Sequence, residues 1–174
     1  QADLAEPDAA ERLWETAVSW RGRVEVLVAN AAVMPEAGID AEATEWAAAW
    51  DAVFAVNVRA PSELIRLATQ HYLEHGGGVL ITMSSWAAHR GSGNPKLAAY
   101  SASKAAVAAV TKTMARAYAR NGVLGYCIAP GAVHTDMTVR SARTMGGEEA
   151  VTASLNMGEF IPPGEVADLV TFLA

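Results

Sequence analysis

Cysteine is almost absent: Cys127 is the only one in 174 residues. One thiol cannot build an intrachain disulfide framework, and within the apolar run Val123 to Ala129 it reads as a small buried hydrophobe. Positive charge is scarce too. Thirteen Lys and Arg stand against nineteen Asp and Glu, for a formal net charge of −6, which argues against an electrostatic nucleic-acid surface. Long apolar runs are missing. Charge-free stretches such as Gly76 to His89 hold Gly, Ser and polar residues and fall short of the ~18 apolar residues a membrane helix needs. The first apolar positions are interleaved with Asp3, Glu6 and Asp8, unlike a secretory leader. The expectation is a soluble cytoplasmic protein that binds neither membrane nor nucleic acid. The four histidines show no convincing metal-ligand spacing, and no metal is expected. His71 and His75 are expected to add cationic character at a helix C-terminus.

What is present is globular: 52% hydrophobic and 18% charged residues, in a length that suits one domain. Two periodicities alternate. Asp8 to Trp20 reads as an amphipathic helix with Leu13, Trp14, Ala17 and Val18 on one face. Val24 to Ala29 suits a buried strand. Ala43 to His75 is a long helical stretch with a break near Pro61, ended by Gly76-Gly77-Gly78. Val79 to Met83 is a second strand and Ser84 to Lys96 a polar loop. Ala98 to Arg120 is an alanine-dense helix stopped by Asn121-Gly122. Leu124 to Ala129 is a third strand, closed by Pro130-Gly131. Strands alternating with helices predict an α/β fold with a doubly wound parallel sheet. Ligands of such sheets bind at the carboxyl ends of the strands. Asn30, Ser84-Ser85 and Pro130-Gly131 all follow strand ends.

The chemistry concentrates at Tyr100-Ser101-Ala102-Ser103-Lys104. A tyrosine and a lysine four apart share a helix face. A neighbouring ammonium favours the phenolate and lowers a phenol pKa from about 10. A serine hydroxyl from another segment could then hold a carbonyl or alcohol oxygen, making an acid/base site for chemistry at a C–O bond. Ser84, Ser85 and Ser92 are the candidates.

These pieces, Ala29-Asn30-Ala31-Ala32, Asn57, Ser84-Ser85, Tyr100 to Lys104 and Pro130-Gly131-Ala132-Val133-His134-Thr135, occur in one order along the whole chain. In that order the chain resembles the short-chain dehydrogenase/reductase family. The resemblance implies a Rossmann-like fold with helices on both faces of the sheet. It implies an NAD(P)-dependent oxidoreductase that interconverts an alcohol and a carbonyl, with 3-oxoacyl thioester reduction as one substrate class. Tyr100 would be the acid/base, Lys104 would depress its pKa and bind the nicotinamide ribose, and Ser85 would polarise the substrate carbonyl. Asn57 would hold a water linking Lys104 to solvent. NAD or NADP would be contacted by Asp3, Leu4, Asn30, Ala31, Tyr100, Lys104, Pro130, Gly131, Val133 and Thr135. Residues about 134–162, with Met137, Met145, Met157 and Gly146-Gly147, would form a substrate lid. Pairing of the long helices would give a homodimer or homotetramer.

The chain departs from that family in several places. Ala29 and Ala32 replace the Asn and Gly of an Asn-Asn-Ala-Gly signature. The gap from Ser85 to Tyr100 is about two residues longer than usual. Residues 1 to 21 contain no glycine, so the glycine-rich turn that cradles a pyrophosphate at a helix N-terminus is not found before Asn30. The chain stops inside an apolar helix, Val166 to Ala174. A longer parent protein is expected, with a sheet edge left open in this portion. The rival expectation is a non-catalytic remnant serving as a dimerisation module, through the small residues Ala98, Ala102, Ala105, Ala106, Ala109 and Val110.

Overall fold

A computed structural model describes residues 1–174. The chain divides into two compact units, Gln1–Ala129 and Pro130–Ala174. The first contains a three-stranded parallel sheet in the order β1 (Val26–Ala29), β2 (Gly78–Met83), β3 (Val123–Ile128). Its helices are α1 (Ala9–Arg21), α2 (Ala43–Phe54), α3 (Ala60–His75), the single turn α4 (Ala87–Arg90) and α5 (Ala98–Tyr118). The second unit holds α6 (Asp136–Thr144), α7 (Glu148–Ser154) and α8 (Pro163–Leu173). No helix is long and apolar enough to cross a membrane.

The core of the first unit forms where α3 and α5 pack on the sheet and α1 packs on α3. Ala10, Trp14, Leu64, Ile65, Ala68, Tyr72, Leu80, Val107 and Val123 make one buried cluster, with Leu27 against it. Leu27, Leu80 and Gly125 are in register across the sheet, so period-two alternation points this row at the helices. At Gly125 an added Cβ would come within 2.8 Å of the Ala115 Cβ. Glycine here lets α5 approach β3 closely. On the other face Val28 is 41% and Leu124 48% exposed. β1 is an edge strand and is only partly buried, unlike the fully buried strand its Val-rich sequence predicts. A strand with one neighbour has nothing covering its far side.

The break in the long helix lies at Ala55–Arg59, a π-helical turn, rather than at Pro61 itself. Pro61 has no amide hydrogen, and its ring crowds the carbonyl of the residue four before it, Asn57. One wide turn absorbs that conflict and leaves Asn57 inward, 2% exposed. Such turns recur at functional sites. The expected loop Ser84 to Lys96 contains α4 and a 3₁₀ turn at Pro95–Leu97. Asn94 builds the latter: its Oδ1 accepts from Lys96 N at 3.0 Å and its Nδ2 donates to Glu36 Oε1 at 3.2 Å.

His71 departs from its expected cationic role. It is buried on α3, where Nε2 accepts from Val24 N at 3.2 Å. Its ring meets Trp14 edge-on at 5.7 Å and stacks on His75 at 4.0 Å. An acceptor nitrogen must be unprotonated, and burial, followed by the His75 charge, lowers the His71 pKa; Arg23 acts in the same direction, against Glu74 and Glu25. The unfolded chain therefore takes up a proton on this ring at a higher pH than the folded chain. The stability that neutral His71 contributes is present in full above its ordinary value of 6.5. It is lost as pH falls from there through the lower folded value. The thermal midpoint is expected to be flat near pH 7.5 and to drop as pH falls below 6.5. His71→Gln, whose side-chain oxygen can still accept from Val24, is expected to flatten that drop; an unchanged acid slope in the variant would refute the assignment.

Candidate active site

α5 carries the central side chains because its first turn follows directly on the Asn94-anchored 3₁₀ turn. That turn is tied to the segment after β1, since Ala37 N donates to Lys96 O at 3.1 Å. Lys104 follows Tyr100 by one helical turn, and its Nζ lies 5.6 Å from the Tyr100 ring centroid. Two hydrogen bonds lock α5 to the carboxyl end of β2. Ser84 Oγ donates to Lys104 O at 2.8 Å, and Lys104 Nζ donates to Met83 O at 2.8 Å.

The three candidate serines separate by partner. Ser84 is occupied with the α5 backbone. Ser92 Oγ accepts from Asn94 N at 3.1 Å. Ser85, 6% exposed, begins the turn of α4, with its Oγ accepting from Ala87 N at 3.2 Å. It is also the one of the three that acts on the Tyr100 phenol, whose pKa it lowers. Of the three, Ser85 is the hydroxyl brought to the tyrosine.

The electrostatics differ from the sequence expectation. Burial pushes the Tyr100 pKa above its ordinary value of 10.0, and the Ser85 hydrogen bond opposes that rise. Lys104 is itself 4% exposed, and burial pulls its pKa down to about 8 while Cys127 pulls upward. Desolvation is the larger cause of both shifts.

Asn57 is engaged differently from the water link expected of it. Its Oδ1 accepts from Val33 N at 2.8 Å, and its Nδ2 donates to Val33 O at 2.9 Å and to Ser103 Oγ at 3.1 Å. Ser103 Oγ donates in turn to Tyr100 O at 2.7 Å. The asparagine side chain thus positions the first turn of α5 against the segment after β1. Ser103, Ser84 and Asn94 are positioning residues that motif reading overlooked. Ser103 sits inside the Tyr-to-Lys motif, but nothing in one sequence reveals which hydroxyl finds a partner.

Asp3, Leu4 and Ala31 line one open cavity of about 540 Å³, with Ala32, Val33 and Val56. That volume lies within the usual range for ligand sites. Asp3 Oδ1 accepts from Ala5 N at 2.9 Å, which leaves its second oxygen to accept from a ligand. Asn30 is exposed, and its side chain makes no hydrogen bond; only its backbone N is engaged, donating to Val28 O at 3.2 Å. It lines an adjoining apolar cavity of about 300 Å³ with Leu13, Trp14 and Leu64.

Pro130, Gly131, Val133 and Thr135 belong to the second unit. Val133 forms a parallel bridge with Ile161: Ile161 N donates to Ala132 O at 2.8 Å and His134 N to Ile161 O at 2.9 Å. In that pattern the N–H and C=O of Val133 itself are not used. Thr135 caps α6, its Oγ1 accepting from Thr138 N at 3.4 Å. The segment expected as a lid consists mainly of α6 and α7, joined at Gly146 and Gly147, both at positive φ. His134 Nε2 hydrogen-bonds Glu148 Oε2 at 3.0 Å.

A family model described as enoyl-(acyl carrier protein) reductase matches residues 1–174. Dehydrogenase/reductase SDR family member 4 of Bos taurus is 34% identical over 163 residues, 94% of this chain and 57% of that protein. The 3-oxoacyl-[acyl-carrier-protein] reductase FabG of Thermotoga maritima is 30% identical over 99% of this chain and 67% of its own length. Among solved structures, one assigned as an NAD(P) dependent gluconate 5-dehydrogenase from Beutenbergia cavernae, with bound NADP, superimposes with a TM-score of 0.87 at 32% identity. That match covers 99% of this chain and 67% of the other. The 3-ketoacyl-(acyl-carrier-protein) reductase from Brucella melitensis, complexed with NADH, gives 0.82 at 27% identity, covering 99% and 68%. The chain therefore spans 57% of the length of the bovine relative. Its parallel sheet with attendant helices is Rossmann-like, and with a match along its whole length the chain belongs to the short-chain dehydrogenase/reductase family.

Proposed function

We propose that this chain forms the proton-handling part of an NAD(P)-dependent oxidoreductase that interconverts an alcohol and a carbonyl. The observation that carries this is a buried Lys104, its ammonium 5.6 Å from the Tyr100 ring, with the buried Ser85 at the end of the strand that Lys104 is tied to. Reduction of a carbonyl needs a hydride at carbon and a proton at oxygen. A bound nicotinamide supplies the hydride. Tyr100 gives its phenolic proton to the substrate oxygen in reduction and recovers one from the alcohol in oxidation. Ser85 donates a hydrogen bond to the same oxygen and so favours the charge that develops there.

Below about pH 8 Lys104 is an ammonium. It then only donates hydrogen bonds, to Met83 O and to a ribose hydroxyl of the dinucleotide. Asp3 accepts from the adenine amino group. Pro61 removes the α-helical partner of the Asn57 carbonyl, which leaves that oxygen, rather than the side-chain amide, to hold a water for proton exchange. The names of the Thermotoga and Brucella relatives support 3-oxoacyl thioesters as one substrate class. The alanine-rich face of α5 supports pairing of two copies.

Tyr100→Phe removes the proton and keeps the ring. Turnover is expected to fall by about 10²–10⁴, while NADPH or NADH titrated by its fluorescence still binds. Wild-type rates in that variant would sink the proposal. The pH profile offers a second check. Oxidation requires the phenolate, so kcat/KM rises with pH along an alkaline limb, which burial of Tyr100 places high. Ser85 holds that pKa down, so Ser85→Ala should lower the rate and also move the limb to higher pH. A limb that stays in place means that Ser85 does not act on the tyrosine.

A further inference from the structure

The segment after β1 reaches the start of α5 at two places, one on each side of Tyr100 in sequence. Beyond the tyrosine, Asn57 ties Val33 to Ser103, whose hydroxyl donates to Tyr100 O. Ahead of it, Asn94 Nδ2 donates to Glu36 Oε1 at 3.2 Å, and Ala37 N donates to Lys96 O at 3.1 Å. Glu36 and Asn94 lie 58 positions apart. The 3₁₀ turn Pro95–Leu97 runs directly into α5 at Ala98, and Tyr100 stands in the first turn of that helix. A shift or rotation at Asn94 is therefore passed to the tyrosine through regular, hydrogen-bonded chain.

Asn94 does more than cap the 3₁₀ turn. A cap needs one acceptor, which Ser or Asp supplies equally well. Asn94 Oδ1 accepts from Lys96 N at 3.0 Å, which fixes the oxygen end of the amide and leaves the nitrogen end for Glu36. The residue is 8% exposed, so both ends of the amide need partners. A buried amide facing a carboxylate makes a charge-assisted hydrogen bond, stronger than one between neutral groups. An aspartate here would cap the turn and set one carboxylate against another, which disfavours ionisation of both. Glu36 lies outside every motif that points to the site.

We propose that Glu36 is a positioning residue that acts through Asn94 and sets where Tyr100 lies at the start of α5. The consequence for proton transfer rests on the reading of Tyr100 as the acid/base, whereas the positioning itself does not.

The bond can be broken and rebuilt with its polarity reversed. 3-Fluorotyrosine at the four tyrosines gives a ¹⁹F signal for each, and Tyr100→Phe identifies that of Tyr100. In the full chain at neutral pH, Asn94→Asp keeps the acceptor for Lys96 N and replaces the donor toward Glu36 with a carboxylate oxygen. The Tyr100 signal should move by more than its line width, while those of Tyr72, Tyr118 and Tyr126 stay in place. Adding Glu36→Gln restores a donor–acceptor pair with the roles exchanged and should return the signal to its wild-type position. Glu36→Ala breaks the same bond from the other side and should move the same signal, so the test holds even where Asn94→Asp does not fold. A Tyr100 signal that stays in place in the folded variants, or one that Glu36→Gln does not return, overturns the proposal. The ¹⁹F readout needs neither substrate nor turnover, so an active Tyr100→Phe variant would refute the acid/base assignment without touching this result.

Discussion

The attachment of α5 to the carboxyl end of β2 governs the site. Lys104 is held twice: its backbone carbonyl accepts from Ser84, and its ammonium donates to the Met83 carbonyl. A buried cation is costly unless its donors are matched, and a strand end supplies carbonyls that no further ladder bonds consume. Burial lowers the lysine pKa to about 8, and the hydrogen bond to Met83 opposes that by favouring the charged form. Because Ser84 and Ser85 are adjacent, the pin that fixes the helix also delivers the second hydroxyl to the phenol one turn earlier.

Around that pin a second set of bonds sets the helix start. Asn57 grips both the N–H and C=O of Val33 and reaches Ser103, which reaches Tyr100 O. The chain after β1, the π-helical turn and the first turn of α5 are therefore tied together, with Asn57 buried within the π-helical turn. A local conflict between proline and helix is converted into the inward aim of a polar side chain.

Motif order made the strand–helix alternation, the parallel sheet and the Tyr100–Lys104 face legible, because periodicity and an i, i+4 spacing are properties of local sequence. Three features were not legible. The pKa order reversed, since nothing in the spacing of Tyr100 and Lys104 reports how deeply each is buried. His71 became a neutral acceptor for Val24, a residue 47 positions away, and long-range pairing leaves no local trace. The choice among Ser84, Ser85 and Ser92 waited on which hydroxyl met which partner.

The sequence alone determined which chemical groups exist and in what order they leave the strand ends: a phenol, a lysine one turn later, a serine after β2, an asparagine near a proline. Tertiary structure decided their states. It committed Ser84 to the Lys104 carbonyl, left Ser85 to act on the Tyr100 phenol, and turned Asn57 into a clamp. The physical reason is that desolvation and hydrogen-bond pairing depend on what surrounds an atom in space, and those surroundings come from segments tens of residues apart.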